Sequence, residues 1–317
     1  MPPASMPPAL IPTGLAPDTP VLIAGPTASG KSALALAIAR AQGGVVVNAD
    51  ALQVFDGWRL LTARPTDADL SQAPHALYGH VPCDAAYSVG HWLRNLAPML
   101  ATGPRPIIVG GTGLNLTALT EGLAAIPPIP AATRATADAL SLPALLADVD
   151  DATLARIDTA NRMRVQRAWE VLHATHRSLA DWQDTTPPPL LPLTRACAIV
   201  VDAPRDWLTP RIGTRFDHML HSGALEEAAA MRPHWNPAHQ SARAIGAAEL
   251  IAHLDGQMTL DQARNAAITA TVQYAKRQRT WFARRMRDWH HVDARATQLS
   301  TDISTVLSTL PTGPTTH

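Results

Sequence analysis

The sequence predicts an α/β fold: a P-loop NTPase-like core, built on a parallel sheet flanked by helices, that carries a helical insertion domain. Three observations support this prediction. Residues 25–32 match the phosphate-binding pattern G-x-x-x-x-G-K-[ST], short apolar segments alternate with helical ones, and proline-rich segments bracket a helical stretch. A chain of 317 residues is long enough for one large α/β core with an insertion.

The phosphate-binding loop follows the apolar residues 21–24 and precedes the helix-like residues 33–39, as the motif requires. Its backbone N–H groups and the positive end of the helix dipole are expected to bind a polyphosphate, to which Lys31 adds a point charge. Ser32 is placed to ligate Mg²⁺. Lysine is rare in this chain, since Lys31 and Lys276 are its only two. The loop comprises Gly25, Pro26, Thr27, Ala28, Ser29, Gly30, Lys31 and Ser32.

Short, almost wholly apolar strands are predicted at residues 21–24, 45–47, 106–109 and 196–201. Such strands are typical of a parallel sheet covered on both faces, in which ligand-binding loops follow the carboxyl ends of the strands. Asp50 and Thr112 follow two of these strands and are therefore expected to face the phosphate loop. After the last strand, helices are predicted at residues 209–231, 242–253 and 260–286.

Proline positions divide the chain into segments. We predict a flexible proline-rich tail at residues 1–18 and the first part of the core at 19–125. A helical insertion is expected at 126–190, a mostly helical second part of the core at 191–295, and a C-terminal tail at 296–317.

The bulk composition narrows the class of protein. The formal net charge is zero, so no overall basic field indicates nucleic acid, although residues 276–287 contain six bases and no acid. The two cysteines, Cys83 and Cys197, indicate neither a disulfide framework nor a metal cluster. No apolar run approaches the roughly 18 residues that a membrane helix needs. We expect a cytoplasmic monomer without a membrane partner.

Two features near the loop leave alternatives open. Asp50 could accept a proton from an attacking nucleophile, or it could cap the following turn. The strand at 106–109 ends in Gly110, Gly111, Thr112 and Gly113 rather than in the acidic residue that holds Mg²⁺ in many P-loop NTPases, which argues against simple ATP hydrolysis. These glycines could admit a diphosphate with Thr112 as a donor, or form a plain tight turn.

The basic residues of the segment 271–287 are interleaved with Tyr274, Trp281 and Phe282. This pattern fits a helix face that follows an RNA backbone, and it equally fits a solvated basic face above a core stripe. The same two interpretations apply to Arg162, Arg164 and Arg167.

Taken in order, these segments resemble those of the tRNA dimethylallyltransferases, also called tRNA isopentenyltransferases. The resemblance runs from about residue 20 to residue 290. The segments that carry it are 25–32, 48–55, 62–65, 74–75, 86–89, 109–114, 167–171, 244–246 and 273–278.

The resemblance implies transfer of the dimethylallyl group from dimethylallyl diphosphate to N6 of adenosine 37, in the anticodon loop of tRNAs that read UNN codons. The loop would hold the leaving diphosphate, Asp50 would take the N6 proton, and Lys31, Thr112 and Mg²⁺ on Ser32 would stabilise negative charge. Contacts with tRNA are expected from Asp50, Ala51, Leu52, Gln53, Thr112, Arg134, Met163, Arg164, Val165, Gln166, Arg167, Lys276 and Arg277.

The chain departs from the family pattern at four positions. Ala51, Leu61, Asn115 and Val272 stand where serine or threonine, glycine, tyrosine and arginine are usual. Three alternative functions are also compatible with the sequence: prenylation of free AMP or ADP, small-molecule phosphorylation by a P-loop kinase, and RNA binding without transfer activity.

Overall fold

A parallel sheet in the order β3-β2-β4-β1-β5-β6 organises the computed structural model, which describes Ala16 and residues 18–295. Within these residues the strands are β1 (Val21–Ala24), β2 (Val45–Asn48), β3 (His75–Ala76), β4 (Pro106–Gly110), β5 (Cys197–Asp202) and β6 (His290–Asp293). The central strand β1 pairs with β4 on one side and β5 on the other. The loops after β1, β2 and β4 therefore meet at one edge of the sheet.

The sheet is the buried centre of the fold. Every residue of β1 and β4 is buried. This agrees with their sequences, in which apolar residues do not alternate with polar ones, as is typical of a sheet covered on both faces. The register places Ile23 beside Val109 and Ile199 in the neighbouring strands. The predicted parallel α/β architecture is confirmed.

Helices cover the sheet and continue beyond it. Within the described residues they are α1 (Lys31–Gln42), α2 (Asp67–Leu70), α3 (Val89–Ala101), α4 (Gly113–Glu121), α5 (Ala131–Ala139), α6 (Leu142–Asp148), α7 (Asp151–Leu154), α8 (Arg162–Thr175), α9 (Leu179–Asp184), α10 (Arg205–His221), α11 (Ala224–Met231), α12 (Ala247–Leu254) and α13 (Leu260–Arg285). None of them is both long and apolar enough to cross a membrane.

The contacts among the described residues divide into two units, one formed by those up to residue 120 together with 191–295 and the other by residues 121–190. The smaller unit, which we call the helical unit, contains α5 to α9. Its core packs Ala137, Leu145, Val165 and Trp169 together. The Trp169 indole N–H also donates to the Asp148 carboxylate at 3.1 Å.

The larger unit has two hydrophobic clusters that matter for the site. One lies along the sheet and includes Val21, Ile38 and Ile212. The other, which we call the helical cluster, packs residues of α10 to α13 around Trp58 and Leu61. Helices α10 and α13 contribute to both clusters and so connect the sheet to the rest of this unit.

The structure differs from the sequence prediction at several boundaries. The helix predicted at 209–231 is broken at Gly223, whose positive φ of 102° ends the run and starts α11. Gly246, with φ 98°, likewise delays the start of α12 to residue 247. Strands β3 and β6 were not predicted, because two residues and a His-His-Val-Asp sequence carry no apolar run. The tails predicted at 1–18 and 296–317 lie almost wholly outside the described residues.

Candidate active site

An open cavity of about 760 Å³, counting space that continues into solvent, lies where the loops after β1 and β2 meet α10 and α13. Its polar lining comes from Thr27, Lys31, Asp50, Gln53, Thr62, Arg215, Thr271, Tyr274 and Gln278. Its apolar lining comes from Leu52, Leu61, Ile212, Phe216, Met219, Ala244 and Ile245.

The phosphate-binding loop joins β1 to α1 in the predicted place. Gly30 adopts φ 91° and begins α1, which has neither a side-chain cap nor an acidic residue in its first turn. The first N–H groups of such a helix have no intrahelical partner, so this terminus can receive an anion. Ala28 also has a positive φ, 63°, and the buried Ser29 hydroxyl finds no hydrogen-bond partner among the described residues. The loop is thus held in a conformation that suits an added phosphate group.

Two cations and one carboxylate share the polar end of the cavity. Enclosure by protein, followed by the nearby charge of Arg215, lowers the pKa of Lys31 to about 8, while Asp50 opposes that shift. Burial also lowers the pKa of the Arg215 guanidinium, again opposed by Asp50. The Lys31 ammonium donates to the Pro26 carbonyl at 3.4 Å. Two closely spaced cations with one carboxylate form a site with net positive charge, as a polyphosphate requires.

Asp50 is held rigidly at the end of β2. The Asn48 side chain accepts the Asp50 N–H at 2.8 Å and donates to the Asp50 carbonyl at 3.0 Å. Oδ1 of Asp50 accepts the N–H of Leu52 at 3.0 Å. Asp50 therefore caps the following turn with one of its two carboxylate oxygens, which is one of the two roles considered from the sequence. A Cβ placed on Gly111 would be 3.4 Å from the other oxygen, Oδ2, which leaves that oxygen on the side of the glycine turn.

Thr112 connects Asp50's segment to α13. Its hydroxyl accepts the N–H of Ala51 at 3.0 Å, and the phenol of Tyr274 interacts with the same hydroxyl and with the Gln278 amide. Burial and the charge of Asp50 raise the pKa of Tyr274 above its ordinary value, so this phenol stays protonated. The structure thus places Thr112 among groups that position the site.

Gln278 of α13 bridges two loops. Its Oε1 accepts the N–H of Thr27 at 2.9 Å and its Nε2 donates to the carbonyl of Gly111 at 2.9 Å. A Cβ on Gly111 would come within 2.2 Å of that Nε2, and one on Gly113 would come within 2.2 Å of the Trp281 indole. In this chain the glycines after β4 therefore admit side chains of α13.

The loop that carries Leu61 is anchored from α11. The Glu227 carboxylate accepts the N–H groups of Arg59, Leu60 and Leu61 at 2.7, 2.8 and 3.1 Å. The Gln53 amide donates to the carbonyls of Thr62 and Ala63, both at 2.9 Å. Five hydrogen bonds from outside the loop thus fix its backbone beside the cavity.

Of the tRNA-contact residues predicted in the larger unit, some line the cavity and others lie on the surface. Ala51 is exposed, whereas Leu52 and Gln53 line the cavity beside Asp50. Lys276 and Arg277 are exposed on α13, with the Arg277 guanidinium 5.8 Å from the centre of the Tyr274 ring. Both cations are therefore accessible to a polyanion.

In the helical unit, the predicted residues of α8 face in two directions. Met163 and Arg164 are exposed, Met163 to 70%. Val165 and Gln166 are buried, and the Gln166 amide donates to Asp138 at 2.6 Å and Glu170 at 3.0 Å. Exposed Arg134 pairs with the same Glu170 at 3.8 Å. Arg167 is half-buried, which lowers its pKa. Side-chain contact with RNA at residues 163–166 is therefore available to Met163 and Arg164, while Val165 and Gln166 support the helix from within.

The departures from the family pattern have structural contexts. Leu61 is buried in the helical cluster and lines the cavity. Val272 packs against the sheet cluster and lines a second cavity beside Arg205, Lys276 and Arg279. Asn115 is buried in α4.

Sequence reasoning missed the roles of four residues. All four come from helices far along the chain: no local motif marks Arg215 and Glu227, and the segment that contains Tyr274 and Gln278 does not by itself indicate what they contact. Tyr274 and Gln278 lie four residues apart within the recognised segment 273–278, a spacing that places them on one helix face. That spacing could have indicated a common target.

Comparison with known proteins agrees with the resemblance. The model of a family described as IPP transferase matches residues 53–286, and one described as isopentenyl transferase matches residues 19–77. A protein of Dinoroseobacter shibae named tRNA dimethylallyltransferase is 64% identical over 87% of this chain and 95% of its own length. One of the same name from a Ruegeria species is 61% identical over 88% and 97%.

Solved structures extend the comparison. A tRNA delta(2)-isopentenylpyrophosphate transferase of Staphylococcus epidermidis is 28% identical, with a TM-score of 0.63 over 91% of this chain and 98% of that one. A eukaryotic dimethylallyltransferase acting on tRNA has a TM-score of 0.78 over 90% and 77%. At 22% identity, it shows a common fold. By the family match over most of the chain and by these relatives, the chain belongs to the IPP transferase family.

Proposed function

We propose that this protein transfers the dimethylallyl group of dimethylallyl diphosphate to N6 of adenosine 37 in the anticodon loop of tRNAs that read UNN codons. The observation that carries the proposal is a single cavity with a cationic end and an apolar wall, with Asp50 lining it. A diphosphate suits the cationic end at Lys31 and Arg215. A short hydrocarbon suits the wall formed by Leu61, Phe216 and its neighbours.

In this reaction the diphosphate is the leaving group. The loop N–H groups at the start of α1, the Lys31 ammonium and the Arg215 guanidinium would bind it as negative charge develops. Fixed donors of this kind act without reorganising during the reaction. We propose Thr112 as a third contributor, through its hydroxyl and through its hold on Ala51.

Asp50 is the proposed acceptor of the N6 proton. Oδ1 is occupied by the Leu52 N–H, so Oδ2 is the atom we assign to the proton transfer. The rigid Asn48 support would hold this oxygen in place while the amine attacks the carbon.

Mg²⁺ is the proposed cofactor, and the residues present suit it. The described residues contain no group of three acidic, histidine or cysteine side chains that would form a complete metal cage. Mg²⁺ commonly takes few protein ligands and completes its shell with phosphate oxygens and water. The exposed Ser32 hydroxyl, at the start of α1, is the ligand we propose. The ion would neutralise charge on the diphosphate.

For the tRNA, we propose contacts on both units. Arg134, Met163, Arg164 and Arg167 are available on the helical unit, and Lys276 and Arg277 on α13. Phosphate contacts by the arginine and lysine side chains of this set would position an RNA, whereas the adenine itself would enter the cavity from an unpaired loop. Ala51, Leu52 and Gln53 would then lie near the base.

An acceptor assay tests the proposal. Purified protein with Mg²⁺ and labelled dimethylallyl diphosphate should transfer label to tRNA that contains A36, A37 and A38, and not to AMP, ADP or a tRNA with A37 replaced by G. Absence of transfer to the first tRNA would contradict it. Transfer to free AMP or ADP would instead favour an adenylate isopentenyltransferase, and ATP-dependent phosphorylation a kinase.

We also propose a cytoplasmic monomer. Cys83 and Cys197 are both free thiols, as is usual in a reducing compartment. Light scattering of the purified protein should give the mass of one chain, with and without tRNA.

A further inference from the structure

Part of the apolar wall of the cavity is backed by a packed core. Leu61, Phe216 and Ala244 all belong to the helical cluster and are nearly fully buried, at 7, 4 and 3% exposure. Their few exposed atoms face the cavity, which all three residues line. A hydrocarbon that extended along this wall would therefore meet a packed core.

Leu61 and Phe216 close tightly on the start of α12. A Cβ placed on Gly246 would lie 2.9 Å from Cε2 of Phe216 and 3.0 Å from Cδ2 of Leu61. These distances show that both side chains already press on the Gly246 backbone. No further methylene fits between them and α12.

The Leu61 side chain cannot easily move aside, because its backbone is anchored. The Leu61 N–H donates to Oε2 of Glu227 at 3.1 Å, and the two preceding N–H groups donate to Oε1. Gln53 holds the carbonyl of Thr62 on the other side. Leu61 is thus a leucine on a fixed loop, and its side chain packs close to Phe216 and to the Gly246 backbone.

We propose that in this chain, where Leu61 stands at the position of the family's usual glycine, this leucine sets the length of the prenyl group that the site accepts, so that five carbons fit and ten do not. The inference rests on the proposed function, since it takes an allylic diphosphate as the donor. With either donor the C1–O bond to diphosphate breaks, the N6–C1 bond forms, the N6 proton passes to Asp50, and diphosphate leaves. The reacting atoms are the same, so length is selected at the far end of the chain.

The substitution Leu61→Gly removes the four carbon atoms of the leucine side chain. A geranyl group is longer than a dimethylallyl group by one isoprene unit of five carbon atoms, which would occupy this place. The matched control is Leu60→Gly, because the Leu60 N–H also bonds to Glu227 while its side chain is not part of the cavity lining. Both variants loosen the same loop, and one of them opens the wall. Leu61→Phe is the converse variant, which narrows the wall.

The test uses dimethylallyl and geranyl thiolodiphosphates, in which sulfur replaces the bridging oxygen, and measures their affinities by calorimetry. The wild-type protein should prefer the dimethylallyl analogue by at least about 100-fold, and Leu61→Gly should reduce this preference by about 10- to 100-fold. Leu60→Gly should leave the preference unchanged. Leu61→Phe should lower the affinity for the dimethylallyl analogue without changing the affinity for inorganic diphosphate.

An unchanged preference in a Leu61→Gly protein that still binds inorganic diphosphate would overturn the proposal. An equal change in Leu60→Gly would do the same. If Leu61→Gly does not fold, normal dimethylallyl affinity in Leu61→Phe overturns it. Because binding is measured without turnover, a wild-type protein that shows this selectivity but transfers nothing to tRNA would refute the proposed function and leave the role of Leu61 standing.

Discussion

The backbone N–H of Thr27 donates to Oε1 of Gln278 at 2.9 Å, a contact between residues 251 positions apart. The NH₂ group of the same amide, Nε2, donates to the Gly111 carbonyl. One side chain of α13 therefore holds the phosphate loop and the turn after β4 at a fixed separation. Since the phosphate loop belongs to the candidate diphosphate site, that site depends on α13 as much as on its own motif.

Replacing Gln278 with leucine should loosen the phosphate loop. The Thr27 N–H and the Gly111 carbonyl would each lose a partner in a mostly buried place, at about 1–3 kcal/mol each. We expect a lower free energy of unfolding in urea and at least a 10-fold weaker affinity for inorganic diphosphate by calorimetry. Gln273→Leu, on an exposed position of α13, is the control and should change neither. Equal behaviour of the two variants would rule out the bridging role.

The binding of diphosphate should weaken as pH rises through about 8. Below that pH Lys31 is charged, and above it the ammonium loses the proton that attracts the anion, because its pKa in the free protein is lowered to about 8. The chain has two lysines, so NMR of protein labelled with ¹³C-lysine shows two side-chain signals, which Lys276→Arg assigns. We expect the Lys31 signal to titrate near pH 8.

Lys31→Arg separates this effect from the ionisation of diphosphate itself. Arginine stays charged throughout the accessible range, so the variant should lack the additional loss of affinity above pH 8. The same pH profile in both proteins would mean that Lys31 does not cause the loss.

Arg215 should control the ionisation of Lys31. Its charge is the second cause, after enclosure, of the lowered Lys31 pKa. Arg215→Gln should therefore raise the pKa of Lys31 in the NMR titration, although it removes a cation and should weaken diphosphate binding. Arg205→Gln, at an exposed position at the start of α10, is the control. A Lys31 pKa that stays the same or falls in Arg215→Gln would contradict the geometry.

Asp50→Asn should abolish transfer while keeping the site folded. The asparagine Oδ1 can still accept the Leu52 N–H, whereas the oxygen assigned to the proton becomes an NH₂ group. We expect transfer to tRNA to fall by about 100- to 10,000-fold, with tRNA affinity within a few-fold of wild type. The control is Asp56→Asn, at an exposed position of the same segment, which should transfer the group to tRNA at the wild-type rate. A near-normal rate for Asp50→Asn would remove Asp50 from the role of base.

Glu227→Ala should destabilise the larger unit. It leaves three loop N–H groups without their charged acceptor, and we expect the free energy of unfolding to fall by about 2–4 kcal/mol. Glu226→Ala is a close control, because both glutamates occupy the first turn of α11 and Glu226 is exposed. Each variant loses the same attraction to the helix dipole. A difference below about 0.5 kcal/mol between the two in urea denaturation would argue against the anchor.

The sequence predicted well those parts of the fold that local pattern determines. Buried parallel strands require unbroken apolar runs, so β1, β2, β4 and β5 were located to within one residue at each end. The phosphate loop and Asp50 were placed together because both follow strands of one sheet. Residues such as Gly223 and Gly246, whose positive φ values end or start helices, were not recognised as boundaries within periodic stretches.

The rest of the site depends on contacts between distant segments. Arg215, Glu227 and Gln278 have ordinary helical surroundings in the sequence, and their importance appears when α10, α11 and α13 pack. The glycines after β4 illustrate the same point. From the sequence, their small size indicated either the close approach of a diphosphate or a plain tight turn. In the structure, the groups that approach Gly110, Gly111 and Gly113 are Ala49, Gln278 and Trp281 respectively. Which partner comes close is a property of tertiary structure.

The anchoring of the phosphate loop by Gln278 has a consequence for synthesis. The ribosome produces Thr27 long before Gln278, with 250 residues between them, and Glu227 also follows the loop that it holds by more than 160 residues. A nascent chain can therefore form the motif's strand and turn while its anion-binding geometry is still unsupported. If the proposed diphosphate site is correct, we expect it to reach full affinity only after α13 has left the exit tunnel, so a chain stalled before that helix should bind diphosphate weakly.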